Sequence, residues 1–407
     1  MSISRRKIYL ILYGIILSWE TWLHYFISTP LNYMDITNLL CIIFIGMYLA
    51  EKHFVMTKVK QWISFCVIVL TSSFMATSLF GQSFLDGVLV CRHMYLQFAV
   101  CIPLTGLFKT NSVNRNEFIS LTIKTIRFAC ILYVVHYLLY EIFNVSLLKI
   151  SAATFGRYGS SRFYFVLIMP MFLLMNAISN IYKSKYKLMD YIDVALVLFL
   201  MMQVGKMRMT TLSCLIAIFL GLIQMRHMGR RKIYFFSAVL MGAFFILKFT
   251  SMGQDLLNVF FGGQSAGSEG IRSIGRLQHI RSFLKSPILG MGYPHENCAA
   301  SMAEFGTSFK YLIEGTYQKI YIGDNGIFDF LYIFGLSGII WLIYTFGGFL
   351  RKAYKIMIYN KNSTYFMYVM ALIIQMYTEF NWFFFGMLFI GVFTSIIATE
   401  NNDESCE

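Results

Sequence analysis

Residues 323–350 read GDNGIFDFLYIFGLSGIIWLIYTFGGFL. After the opening Gly-Asp-Asn-Gly, the stretch holds one charged residue, Asp329, and then none as far as Leu350. A membrane crossing needs about 20 largely apolar residues, and a helix apolar all round has no face for water. The stretch therefore reads as a membrane span whose mouth carries Asp324, Asn325 and Asp329. Asp and Asn are preferred helix N-caps, so a cap explains one acidic residue here. It does not explain Asp329, five residues further in. Gly335 and Gly338 share a helix face and predict close approach of a neighbouring helix.

The whole chain has the same character. Of 407 residues, 57% are hydrophobic, 17% aromatic and 13% charged, with mean hydropathy +0.63. Soluble domains carry roughly 25% charged residues. These values predict an all-α, polytopic integral membrane protein. Apolar runs near 8–28, 35–51, 61–80, 85–107, 118–143, 162–181, 189–205, 208–225, 233–251, 323–350, 364–379 and 382–399 predict about 12 transmembrane helices. The first run is too long for a signal-peptide core and ends in no small-residue cleavage site. Four regions follow: a membrane bundle at 1–251, a large exterior loop at 252–322, membrane helices at 323–400 and an acidic tail at 401–407.

The net charge of +14 does not point to nucleic acid. Lys and Arg fall in short runs between apolar stretches, as membrane topology requires. With the N-terminus in the cytoplasm, segments 5–7, 52–60, 109–115, 183–187, 226–232 and 351–361 hold 19 of the 34 Lys and Arg. An even span count returns the C-terminus to the same side. Six of the eight cysteines lie inside apolar runs, where Cys acts as a small hydrophobe, so no disulfide framework is expected.

Cations on the opposite side break the charge rule. They are Lys149, Arg157 and Arg162, then Lys206 and Arg208, then Arg272, Arg276, Arg281, Lys285, Lys310 and Lys319. Snorkelling to headgroup phosphates accounts for a single such residue. Several on one side predict a shared anion site at the outer surface. Within the large loop, Ile274, Leu277, Ile280, Phe283 and Leu284 recur at helical spacing. They predict a short amphipathic helix lying apolar side down on the membrane, ended by Pro287 and a Gly290-Met291-Gly292 turn. The Gly-x-Gly lacks the strand and third glycine of a nucleotide loop, and His295-Glu296-Asn297 lacks the second His of a zinc motif. No metal and no cofactor is expected. Glu20 and His24, four apart in the first run, predict a hydrogen-bonded pair.

Several of these segments resemble the O-antigen ligase and polymerase membrane superfamily. "GRLQHIRSFLKSPILGMGY" (275–293) is similar to its Gly-Arg, amphipathic helix, Pro-x-x-Gly-x-Gly segment. "QVGKMRMTTLSCLIAIFLG" (203–221) resembles its short exterior turn, with Arg208 at the arginine position, and "FGRYGSSRFYFVLIMP" (155–170) its arginine-glycine segment. Asn325, nine residues and Gly335-Leu-Ser-Gly338 match the ligases' His-Asn-x9-Gly-x-x-Gly spacing, with Asp324 in place of His. That departure favours the polymerases over the ligases. The resemblance runs in order over about residues 150–340.

The resemblance implies a metal-independent glycosyltransferase in the bacterial cytoplasmic membrane that polymerises lipid-linked oligosaccharide repeat units. The product would be capsule, exopolysaccharide or O-antigen. Donor and acceptor would both be undecaprenyl-pyrophosphate-linked, with a flippase and a chain-length regulator as further partners. A ligase delivering finished glycan, or a flippase for lipid-linked sugar, is the alternative. Charge leaving on a pyrophosphate without a metal calls for Arg forks. Arg157, Arg208 and Arg276 are the first candidates, with Arg162, Lys206, Arg272, Arg281 and Asn325 in support. The acceptor hydroxyl calls for a base: Asp324 first, Glu379 second, His295 third.

Overall fold

A computed structural model describes residues 5–27, 29–51, 54–150, 153–154, 161–165, 168–183, 187–205, 207–224, 242, 268–306, 309–310, 317–318, 322–377, 380, 383–384 and 386–400. The described chain is helical. It runs through α1 (Arg5–Thr21), α2 (Tyr33–Leu49), α3 (Val59–Phe80), α4 (Phe84–Val90), α5 (Arg92–Phe98) and α6 (Cys101–Lys109). There follow α7 (Arg115–Phe143), α8 (Ile168–Tyr182), α9 (Leu188–Phe199), α10 (Arg208–Gln224), α11 (Ser268–Lys285) and α12 (Ala299–Phe305). The last three are α13 (Ile327–Tyr359), α14 (Thr364–Gln375) and α15 (Met387–Thr399). Two antiparallel pairs of two-residue strands, 153–154 with 161–162 and 309–310 with 317–318, complete it.

Among the described residues, α3, α7 and α13 are long and apolar enough to cross a membrane. The bent pair Phe84–Val90 and Arg92–Lys109, meeting at 50°, makes a fourth crossing if it is one span. Tyr33–Leu49, Ile168–Tyr182, Met209–Gln224, Thr364–Gln375 and Met387–Thr399 are apolar but shorter. At about 1.5 Å per residue these fall short of a hydrocarbon core of about 30 Å, so length and composition do not give twelve spans. The run expected at 233–251 lies, apart from residue 242, outside the described residues.

The helices define two ends. At one, Arg5 reaches Glu51 at 2.8 Å, Arg6 pairs with Glu117, Arg115 donates to the Tyr365 hydroxyl at 3.3 Å and Ser179 to Asn362 at 3.2 Å. At the other, Lys149 N–H donates to Tyr25 O at 3.1 Å, Gln82 Nε2 to Tyr293 O at 3.0 Å and Gln375 Nε2 to Thr210 Oγ1 at 2.7 Å. Between them Phe65, Phe98, Phe330, Trp341 and Phe383 form a buried aromatic core. Within the bundle Arg127 grips Asp193 through two bonds of 2.6 and 2.7 Å. The expected Glu20–His24 pair does not form. Glu20 instead accepts from Thr37 at 2.7 Å, and the His24 ring contacts Trp19 O and stacks on Tyr33. The 3-10 turn at Leu23–Tyr25 takes His24 off the face of α1.

The long helix α13 is broken at Gly335, where φ is 62° and ψ −157°. The loop after α11 is spliced into that break. Met291 and Gly292 N–H donate to the carbonyls of Tyr332 and Ile333 at 2.6 and 3.2 Å. Leu336 and Ser337 N–H donate to those of Pro287 and Ile288, both at 2.9 Å. Backbone groups freed by the kink are thus satisfied by the loop, which a buried position requires. A Cβ on Gly335 would lie 2.4 Å from Gly290 N, and one on Gly290 2.6 Å from Gly335 N. The predicted close approach at Gly335 is therefore to this loop. Gly338 packs under Phe330 and Phe334 of its own helix.

Candidate functional site at the acidic helix mouth

The mouth of α13 is organised by Asp329. Gly326, at φ 67°, is the N-cap and has no side chain to bond the helix. Asp329, fully buried in the first turn, reaches back instead. Its Oδ2 accepts from Gly323 N–H at 2.7 Å and Asn325 N–H at 3.2 Å, and its Oδ1 from Asn325 Nδ2 at 3.0 Å. These donors lie before the N-cap, so the carboxylate braces the turn that leads into the helix and does not form a capping box with Gly326. Asp324 sits half-buried in the turn 322–326 that Asp329 holds. Asn325 is buried, and its Oδ1 meets no partner among the described residues.

His279 of α11 closes the cluster. Its Nδ1 lies 2.8 Å from Asp329 Oδ1, off the N–H axis, and its Nε2 lies 3.0 Å from Phe305 O. Both side chains are wholly buried. Each ring nitrogen thus faces an oxygen, Nε2 within hydrogen-bond geometry and Nδ1 in close contact only. The face of α11 turned to the protein is Gly275, His279 and Ser282. Its apolar residues Leu277, Ile280 and Leu284, followed by Ile288, point outward and are 37–67% exposed.

Arg276, one turn before His279, leans on aromatic faces. Its guanidinium carbon lies 5.6 Å from the Tyr377 ring centre and 6.0 Å from that of Phe328, within cation–π range. The Tyr377 turn is fastened to the Asp324 turn. Phe380 N–H donates to Gly323 O at 2.8 Å, and Gly326 lies against the Met376 and Tyr377 carbonyls so closely that a Cβ would overlap them. Gln375 then ties this turn to Thr210, in the first turn of α10. The other side of the α10 entrance holds Arg162, whose Nε donates to Gly205 O at 2.9 Å and whose guanidinium covers Tyr164 at 4.4 Å. Phe163 N–H bonds Val204 O at 3.0 Å, fixing that strand to the π-helical turn Leu200–Val204.

The structure thus brings Arg162, the start of α10 at Arg208, Arg276, Asp324, Asn325 and the turn before Glu379 to one end of the bundle. Arg272 lies one turn before Arg276, partly buried. Arg281 is exposed on the outward side of α11 and is not drawn into the cluster. His295 packs at the turn after α3: its N–H donates to Gln82 Oε1 at 3.1 Å, while its Nδ1 accepts from Asn297 N–H at 3.2 Å. The same Nδ1 lies 4.0 Å from Asp86 Oδ2. Arg157, Lys206 and Glu379 lie outside the described residues, as does the Arg208 side chain. Among the described residues no group of three or more His, Cys, Asp or Glu forms a metal-holding cluster.

Chemically, the cluster offers a cation over the Tyr377 and Phe328 rings and, on the turn fastened to that of Tyr377, the Asp324 carboxyl group. An Arg so placed presents a planar fork to an anion. Sequence reasoning missed His279 and its pairing with Asp329. The signal was there in the spacing of Gly275, His279 and Ser282, a small and polar stripe opposite the apolar one. No protein-family model matches this chain, and no curated protein does either.

Proposed function

We propose that the protein is a membrane glycosyltransferase that polymerises undecaprenyl-pyrophosphate-linked oligosaccharide repeat units, without a metal, at the outer face of a bacterial cytoplasmic membrane. In this reading the chain crosses the membrane about twelve times with both termini cytoplasmic, the shorter apolar helices supplying the additional crossings. The observation that carries the reading is the meeting of Arg276, the Asp324 turn and the α10 entrance at one end of an apolar bundle. Breaking the anomeric carbon–oxygen bond leaves negative charge on the pyrophosphate. Arg276, with Arg162, Arg208 and Arg272 around the same end, would stabilise that charge as it develops. Asp324 would accept the proton of the attacking sugar hydroxyl. The outward apolar face of α11, Leu277, Leu284 and Ile288, would rest in the membrane surface and keep Arg276 near lipid phosphates.

The test is reconstitution. Purified protein is given one defined undecaprenyl-pyrophosphate repeat unit and no nucleotide sugar. Products that lengthen by whole repeat units support the reading. No lengthening by protein that is folded and monodisperse counts against it, and transfer only to a different acceptor indicates a ligase.

A further inference from the structure

The opposite end of the bundle carries a second site, independent of the function proposed above. There a half-open cavity of about 620 Å³ is lined by Arg6, Lys109, Asn111, Asn114, Arg115 and Asn116, with the end of α15 closing it. Its volume lies within the 300–1,000 Å³ typical of small-ligand sites. Lys352 joins the wall by donating to Ala398 O at 2.7 Å, Ala398 being a lining residue.

Two acids offset these cations. Glu117 holds Arg6, and Glu400 holds Arg115 and lies 3.3 Å from the Tyr365 hydroxyl. Arg115 Nε is buried and meets no partner among the described residues. Membrane topology alone places Lys and Arg at one end of a bundle, but it spreads them over loops. Here Arg6 of α1 and Lys109 and Arg115 on either side of the α6–α7 turn line one concavity, three cations against the two acids. Such an arrangement is stabilised by an anion. The N-terminus of the 29-residue α7, which begins at Arg115 in the cavity wall, adds its dipole in the same sense.

We propose that this cavity binds a phosphate-bearing anion, supplied either by the headgroup of an anionic phospholipid or by a free phosphorylated solute. The cation fork of Arg115 and the Lys109 ammonium would meet the phosphate oxygens, and Asn111 and Asn116 side-chain amides would donate beside them.

The full chain is placed in phosphatidylcholine nanodiscs at low salt, and its melting temperature is followed. Inorganic phosphate is titrated in one arm. In the other, phosphatidylglycerol is included in the discs and retained lipid is counted by native mass spectrometry. A stabilisation by phosphatidylglycerol assigns the lipid source, and one by inorganic phosphate alone the soluble source. Lys109→Gln is expected to weaken the effective ligand about fivefold, and Lys109→Gln with Arg115→Gln further, at about 1 kcal/mol per surface cation. Lys60→Gln, an exposed lysine at the start of α3 outside the lining set, is the control and is expected to leave binding unchanged. Should neither probe stabilise the wild-type chain, or should Lys60→Gln weaken binding as much as Lys109→Gln, the proposal fails.

Discussion

His279 Nδ1 and Asp329 Oδ1 stand 2.8 Å apart with both side chains fully buried, joining the loop helix α11 to the first turn of α13. Asp329 meanwhile holds the backbone of the turn that carries Asp324. One carboxylate thus fixes the position of α11, and with it Arg276, relative to Asp324. Removing His279 leaves Asp329 its three bonds to residues 323 and 325, whereas removing Asp329 leaves those buried donors unpaired, at about 1–3 kcal/mol for each such group.

Asp329→Ala is therefore expected to lower the melting temperature of the purified protein by several degrees, and His279→Ala by less. The double variant should lose less than the sum of the two, because neither group is then left unpaired. Additive losses in the cycle would show that the two side chains do not act as a pair.

Gly335→Ala is expected to be more damaging than Gly338→Ala. At Gly335 a methyl group would meet the Gly290 backbone at 2.4 Å in a left-handed conformation, whereas at Gly338 it meets side chains. Gly290→Ala should share the Gly335 defect, since it closes the same contact from the other side. Fluorescence-detected size exclusion of the three variants checks the order.

The Arg127–Asp193 pair ties α7 to α9 with two bonds inside the bundle. Asp193→Ala is expected to destabilise by about 3–5 kcal/mol. Adding Arg127→Leu should recover part of that loss, measured by thermal unfolding in detergent.

Acid sensitivity has a source in the loop region. Lys285, at 2.6 Å, and the Ser282 hydroxyl hold the Glu304 carboxyl below its ordinary value. A depressed carboxylate adds stability above its unfolded pKa, about 4.3. That contribution is lost as pH falls through the folded value. Lys285 is largely exposed, so screening leaves it at or below about 1 kcal/mol. Glu304→Gln should flatten the unfolding profile below about pH 4 and leave neutral stability little changed. An unaltered acid limb would remove Glu304 as its source.

Much of the architecture was legible in the chain. The apolar runs at 61–80, 118–143 and 323–350 gave α3, α7 and α13, because long runs without charge leave few alternatives to a helix. The amphipathic segment at 273–284 fell inside α11, with Pro287 ending it. Its polar side was harder to read, since His279 and Asp329 are fifty residues apart and only the folded chain brings them together. Asp329 was visible as an acid that a cap did not explain, yet its bonds run backward to Gly323 and Asn325. Forward-looking cap rules point to Asp324 instead. The break at Gly335 was hidden for a similar reason. Its spacing to Gly338 reads as a packing stripe, while its positive φ follows from the loop spliced beside it.

The site assignment rests on Arg276 being oriented by Tyr377 and Phe328 next to the Asp324 turn, with Arg281 five residues on turned outward. The most direct measurement compares Arg276→Ala and Arg281→Ala in the reconstituted chain-lengthening assay at equal folded protein. Loss of one charge-stabilising donor costs about 3 kcal/mol, so Arg276→Ala should fall about a hundredfold while Arg281→Ala stays within a few-fold of wild type. Equal activity in the two variants, or a greater loss in Arg281→Ala, would contradict the account.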